Sequence, residues 1–95
     1  MNNSKIAFFP GSFDPFTKGH EDIVLRASSI FDEVVIGIGV NTSKTRYFEA
    51  EFMKLKIESA FQANSKVSVQ LFSGLTADFA QKIDARFIVR GLRNT

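Results

Sequence analysis

The sequence predicts an α/β domain, a Rossmann-like, doubly wound parallel sheet in the order βαβαβαβ. Two observations carry this expectation. Four short apolar runs alternate with three segments whose apolar residues recur at helical spacing. One of the runs, "VVIGIGV" (Val34–Val40), is almost wholly apolar and β-branched apart from its glycines, as suits a strand covered on both faces. Alternation of this kind implies right-handed crossovers and helices on both sides of a parallel sheet.

The elements follow in order. Residues 5–9 read as a short buried strand halted by Pro10-Gly11. From Gly19 the pattern is helical, with Ile23, Val24, Ala27, Ile30 and Phe31 on one face. The strand over Val34–Val40 is broken by Asn41-Thr42-Ser43-Lys44. Ala50, Met53, Ile57, Ala60 and Phe61 mark a second helical face. Val67–Phe72, "VSVQLF", alternates as a strand does and ends at Ser73-Gly74. Thr76–Ile83 is the third helix, with Thr76 as its starting residue. Arg86–Val89 opens the fourth strand, which runs into "RGLR" (Arg90–Arg93).

Composition bounds the class. A chain of 95 residues suffices for one small domain, whose single core buries about two-thirds of the unfolded surface. The apolar fraction is 44%, with eleven phenylalanines and no tryptophan, which excludes a disordered chain. The phenylalanines read as core. The net charge of +2 is too small to argue for nucleic acid. There is no cysteine, hence no disulfide framework and no thiolate metal site. The apolar run before Pro10 is only four residues, Ile6 to Phe9, too few for a signal-peptide core or a membrane span, so the expectation is a cytoplasmic protein without a membrane partner.

In an open parallel sheet, ligands bind beyond the carboxyl ends of the strands. Strand one is followed by Gly11-Ser12-Phe13 and then His20, the single histidine. Strand two is followed by Asn41 to Lys44 with Arg46, strand three by Ser73 to Thr76, and strand four by Arg90 to Arg93. Cations, hydroxyls and glycines thus converge at one end, a make-up suited to phosphates. Gly19-His20 stand where the first helix begins, and a helix N-terminus attracts anions. The spacing is neither GxGxxG nor GxxxxGK[ST]. An arginine directly ending an apolar strand, as Arg90 does, must find an anion or be costly to desolvate. Asp14-Pro15 reads as a turn fixed by hydrogen bonds from local amides to the Asp14 carboxylate, not as a metal ligand.

These residues resemble a known family. "PGSFDPFTKGH" (Pro10–His20) is similar to the signature of the nucleotidyltransferase superfamily, many of whose members read His-x-Gly-His; here the positions are Thr17 and His20. With "NTSK" (Asn41–Lys44) and "RGLR" at their places, the chain resembles the bacterial phosphopantetheine adenylyltransferase family from about Lys5 to Thr95. The resemblance implies adenylate transfer from ATP to 4′-phosphopantetheine, giving dephospho-coenzyme A and pyrophosphate in coenzyme A biosynthesis. It implies that Ser12 touches the phosphopantetheine phosphate and ATP, and that Phe13 lends its backbone to ATP. His20 would stabilise charge on the α-phosphate as the catalytic residue, and contact ATP. Lys44 and Arg90 would hold the phosphopantetheine phosphate, with Thr76 helping. Gly91, Leu92 and Arg93 would contact ATP. Magnesium is expected to arrive with the ATP phosphates, where it keeps several waters and needs no dedicated protein cage.

Departures from the family are few. Ser12 stands where the family usually has threonine, and Phe52-Met53 where a charged pair is commoner. The family continues after RGLR with an acidic, aromatic helix, a fifth strand and a serine motif for the β- and γ-phosphates, and it assembles as a hexamer. The expectation is therefore one nucleotidyltransferase domain over residues 1–95, about two-thirds of the family's length and lacking its C-terminal part. Two alternatives accompany it: transfer to nicotinate mononucleotide or a polyol phosphate by another superfamily member, or a non-catalytic nucleotide-binding fragment.

Overall fold

The computed structural model describes residues 4–40 and 48–90. The elements are β1 (Ile6–Gly11), α1 (Lys18–Ser28), β2 (Glu33–Gly39), α2 (Ala50–Ala60), β3 (Val67–Phe72), α3 (Thr76–Lys82) and β4 (Phe87–Ile88). This is the predicted βαβαβαβ order. All strand pairs are parallel and form one sheet in the order β3-β2-β1-β4.

The alternation of side chains along each strand splits the core between two faces. On one face, Phe9, Val34, Ile36 and Ile38 pack with Val24 of α1 and Ile57 of α2. On the other, Phe8 and Val35 pack with Ala80 and Phe79 of α3. The sheet is therefore wound on both sides. Phe8 is fully buried, worth roughly 1.5–3 kcal/mol in apolar area removed from water. Gly37 makes room for it: a Cβ there would stand 2.3 Å from Phe8 Cε1 and 2.6 Å from its Cζ. The glycine in the middle of "VVIGIGV" is thus set by a neighbour on β1.

Several sequence expectations need correction. Pro10 and Gly11 do not halt the first strand; they pair with Gly37 and Ile38 and lie within β1. Strand alternation explains how proline is tolerated. Phe8 accepts from the Val89 N–H at 2.9 Å, so Pro10, two residues on, directs its backbone toward the same side. The β4 ladder pairs only with Ala7 and Phe8, so Pro10 is not asked for the N–H it lacks. Ile30 lies beyond the end of α1 and is 69% exposed, because the helix stops at Ser28 before its next inward-facing position. Ala60, placed on the buried face of α2, is exposed. The phenylalanines are not all core either. Phe48, just before α2, and Phe52 within it are exposed and stack with ring centroids 6.4 Å apart, and Phe87 is also exposed. Among the described residues no helix is long and apolar enough to cross a membrane.

Candidate active site

Strand order reverses at β1: β2 and β3 extend to one side, and β4 adds to the other. A crevice forms beyond the carboxyl ends of strands at such a reversal. The turn after β1, residues 12–17, and the residue that follows the β4 ladder at the same end share this position.

Thr17 is the N-cap of α1, with extended backbone (φ −106°, ψ 174°). Its Oγ1 accepts from the His20 backbone N–H at 3.4 Å. In return, His20 Nδ1 accepts the Thr17 backbone N–H at 2.9 Å and stands 3.1 Å from Thr17 Oγ1. This is a reciprocal capping box with histidine in the position usually held by glutamate or glutamine. A backbone N–H can only donate, so Nδ1 carries a lone pair and the proton of the neutral ring resides on Nε2. Local backbone chemistry thus sets the tautomer of the single histidine.

Aromatic rings fix the imidazole plane. Phe13 meets it edge-on, with centroids 4.9 Å apart and planes at 90°. Phe16 and Phe9 lie at 5.3 and 6.1 Å. Phe13 holds a left-handed backbone conformation, φ +46°, at a cost of roughly 1–2 kcal/mol for a non-glycine residue. Burial of its ring offsets that cost, since only 4% of the residue is exposed. The same ring requires Gly11, where a Cβ would stand 2.9 Å from Phe13 Cζ. Sequence reasoning assigned Phe13 a backbone role and missed Phe9 and Phe16 as walls of the histidine. Phe16 precedes the N-cap Thr17 and so lies outside the helix, and no helical spacing marked its contact with His20.

The sequence suggested local amides as the partners of Asp14, but the fold brings it a distant one. Its Oδ1 accepts the backbone N–H of Phe48 at 2.8 Å, across 34 residues of sequence. The turn therefore reaches the start of α2 as well as that of α1. No local pattern could have disclosed this, because the partner is a backbone group brought in by the fold.

The other expected site residues are distributed as follows. Ser12 follows β1 directly and is exposed. Arg90 lies two residues beyond Ile88, the partner of Phe8, and is exposed; the expected desolvation cost therefore does not arise, because β4 is short and at the sheet edge. Thr76 is the first residue inside α3, not its cap. Leu75 occupies the cap position and makes no side-chain cap bond. Thr76 follows β3, two strand spacings, roughly 10 Å, from β1. Lys44, Gly91, Leu92 and Arg93 lie outside the described residues. Among the described residues no group of three or more His, Cys, Asp or Glu stands together to hold a metal ion.

Comparison with known proteins agrees with this fold. Residues 8–95 match the family described as cytidylyltransferase-like. A phosphopantetheine adenylyltransferase of Cytophaga hutchinsonii is 60% identical over 97% of this chain and 61% of its own length. One of Flavobacterium johnsoniae is 56% identical over 93% of this chain and 58% of its own. The chain thus spans about three-fifths of the length of the curated relatives it matches. Among solved structures, a bifunctional NMN adenylyltransferase/ADP ribose pyrophosphatase of Francisella tularensis, complexed with AMP and a manganese ion, superposes with a TM-score of 0.66. It is 23% identical and covers 92% of this chain and 31% of its own, a likeness of fold.

Proposed function

The chain belongs to the cytidylyltransferase-like family, and from that premise we propose that it is the nucleotide-handling part of an adenylyltransferase that transfers AMP from ATP to 4′-phosphopantetheine. The products are dephospho-coenzyme A and pyrophosphate. The observation that carries the reading is His20, oriented by Thr17 beside the sheet's reversal point with Nδ1 as acceptor and the ring proton on Nε2. The names of the relatives at 60% and 56% identity support the choice of acceptor.

The chemistry asks little covalent work of the protein. An oxygen of the acceptor phosphate forms a bond to the α-phosphorus of ATP, while the bond from that phosphorus to the pyrophosphate oxygen breaks. Both reactants are anions, so catalysis is positioning plus charge neutralisation. His20 donates through Nε2–H to a non-bridging oxygen of the α-phosphate as negative charge grows there. Lys44 and Arg90 grip the acceptor phosphate, with Thr76 assisting. Ser12 and Phe13 lie along the nucleotide, and Gly91, Leu92 and Arg93 hold the rest of ATP. Magnesium enters as part of the nucleotide substrate. Hexameric assembly belongs to the same reading and is checked by sedimentation of the full-length protein.

The test is pyrophosphate release by the full-length protein with ATP or CTP against a panel of phosphorylated acceptors. The reading expects turnover with ATP and phosphopantetheine. Selective use of nicotinate mononucleotide, a polyol phosphate or CTP would overturn it.

A further inference from the structure

Phe16 immediately precedes Thr17, the N-cap of α1. An apolar residue at that place commonly packs on the fourth residue of the helix, which here is the charged Glu21. The Phe16 ring instead meets two other rings. One is the His20 imidazole, with centroids 5.3 Å apart and planes 36° apart. The other is Phe61, the C-cap of α2, at 6.1 Å and 87°. Phe61 is firmly held. It is 5% exposed, its N–H donates to Ile57 O at 3.2 Å, and its carbonyl accepts the Asn64 N–H at 2.8 Å. Asn64 in turn donates through Nδ2 to Ser28 Oγ at 3.4 Å, at the far end of α1. The chain leaving α2 is therefore tied to α1 at both ends, by a ring contact at its start and a hydrogen bond at its finish.

The contacts between Thr17 and the imidazole act at Nδ1. A ring held at one atom can pivot about it, and Nε2 on its far side then moves most. Close packing against the ring limits that pivot. We propose that Phe16 and Phe61 are positioning residues for His20: a brace of two rings runs from the end of α2 to the imidazole and fixes the direction of Nε2–H. The inference rests on the proposed function, in which that N–H serves the α-phosphate. Neither phenylalanine need touch substrate. A donor aimed at growing charge acts in the transition state, so loosening the brace lowers the rate of transfer rather than the affinity for either substrate.

The experiment uses the full-length protein with ATP and phosphopantetheine, and measures the single-turnover rate of transfer and KM for each substrate. Phe16→Leu keeps apolar bulk but not the flat ring. It should slow transfer about tenfold, the upper end of what one aromatic pair is worth, with both KM values within about twofold. Phe16→Tyr keeps the ring and should stay close to wild type. Phe61→Leu should slow transfer about threefold, and hardly at all once Phe16 is leucine, because it acts through that ring. In a His20→Ala background, Phe16→Leu should cost nearly nothing more, whereas a merely structural role would cost the same in both backgrounds. Thermal unfolding is recorded for every variant. Methionine, which fills irregular gaps, replaces any leucine that melts at the assay temperature. Phe16→Leu at the wild-type rate would overturn the inference, as would Phe16→Tyr as damaged as leucine. An undiminished cost without His20, additive losses at Phe16 and Phe61, or a loss confined to KM would overturn it equally. A wild type that transfers nothing to phosphopantetheine would instead sink the functional reading on which the inference stands.

Discussion

Thr17 and His20 hold one another from both directions: the threonine hydroxyl accepts the His20 backbone N–H, and the His20 ring accepts the Thr17 backbone N–H. A helix cap and the orientation of the only imidazole are therefore the same structure. Changing either residue alters the start of α1 and the proton position on the ring together, and the substitutions below separate the two effects.

His20→Ala in the full-length protein removes both the cap partner and the Nε2 donor. Turnover should fall by a factor on the order of 10², the scale of one lost charge-stabilising donor, with a smaller change in ATP affinity. His20→Asn keeps a polar atom near the Nδ1 position but has no donor at the Nε2 position. It should lose as much turnover as alanine while retaining about 1 kcal/mol more stability from the cap. Steady-state rates and denaturant unfolding measure the two quantities; near-normal turnover in either variant would remove His20 from the mechanism.

Thr17→Val preserves shape and removes the hydroxyl. The start of α1 should weaken by about 1 kcal/mol, and turnover should drop because one of the two atoms beside Nδ1 is gone. Thr17→Ser restores the hydroxyl and should recover both. A valine variant with the stability and turnover of serine would show that the backbone N–H alone orients the ring.

Lys44→Ala and Arg90→Ala should chiefly raise KM for phosphopantetheine, whereas Arg93→Ala should chiefly raise KM for ATP. For Arg90, whose exposed side chain contributes through binding rather than stability, the melting temperature should hardly change. Substrate titrations giving the opposite division would mean that the two anion positions are exchanged.

Gly37→Ala brings a Cβ to 2.3 Å from the Phe8 ring, which has no room to withdraw because it is fully buried. Overpacking of this kind costs about 1–3 kcal/mol. Phe8→Leu alone also destabilises, through the lost ring. The double variant should be more stable than the sum of the two losses predicts, since the smaller side chain yields the space the new methyl needs. Strict additivity in thermal unfolding would show that Phe8 is not what excludes a side chain at Gly37.

Much of the fold was legible in the chain itself. The apolar run over Val34–Val40 and the alternation over Val67–Phe72 are local properties, since each strand states its own burial through the spacing of its side chains. The element order followed from these, and the order implied a parallel sheet. The gathering of hydroxyls, glycines and His20 at one end was legible for the same reason: parallel strands place all their carboxyl ends together. Local pattern misled where a boundary depended on a neighbour. Pro10 looked like a stop, yet it continues β1 because the β4 ladder beside it is short.

By itself, then, the sequence determined which segments become strands and helices, and which of their ends meet. Only the tertiary structure decided how the meeting residues are held. The Asp14 carboxylate finds its partner 34 residues away in a backbone N–H, a group every residue but proline carries and no sequence pattern can mark. Phe9, Phe13 and Phe16 look like any other core phenylalanines until the turn folds them around His20. The physical reason is the range of the forces. Propensity and periodicity act within a few residues, whereas a side chain's partners are chosen when distant segments pack and each buried polar group must find whatever donor or acceptor has arrived beside it.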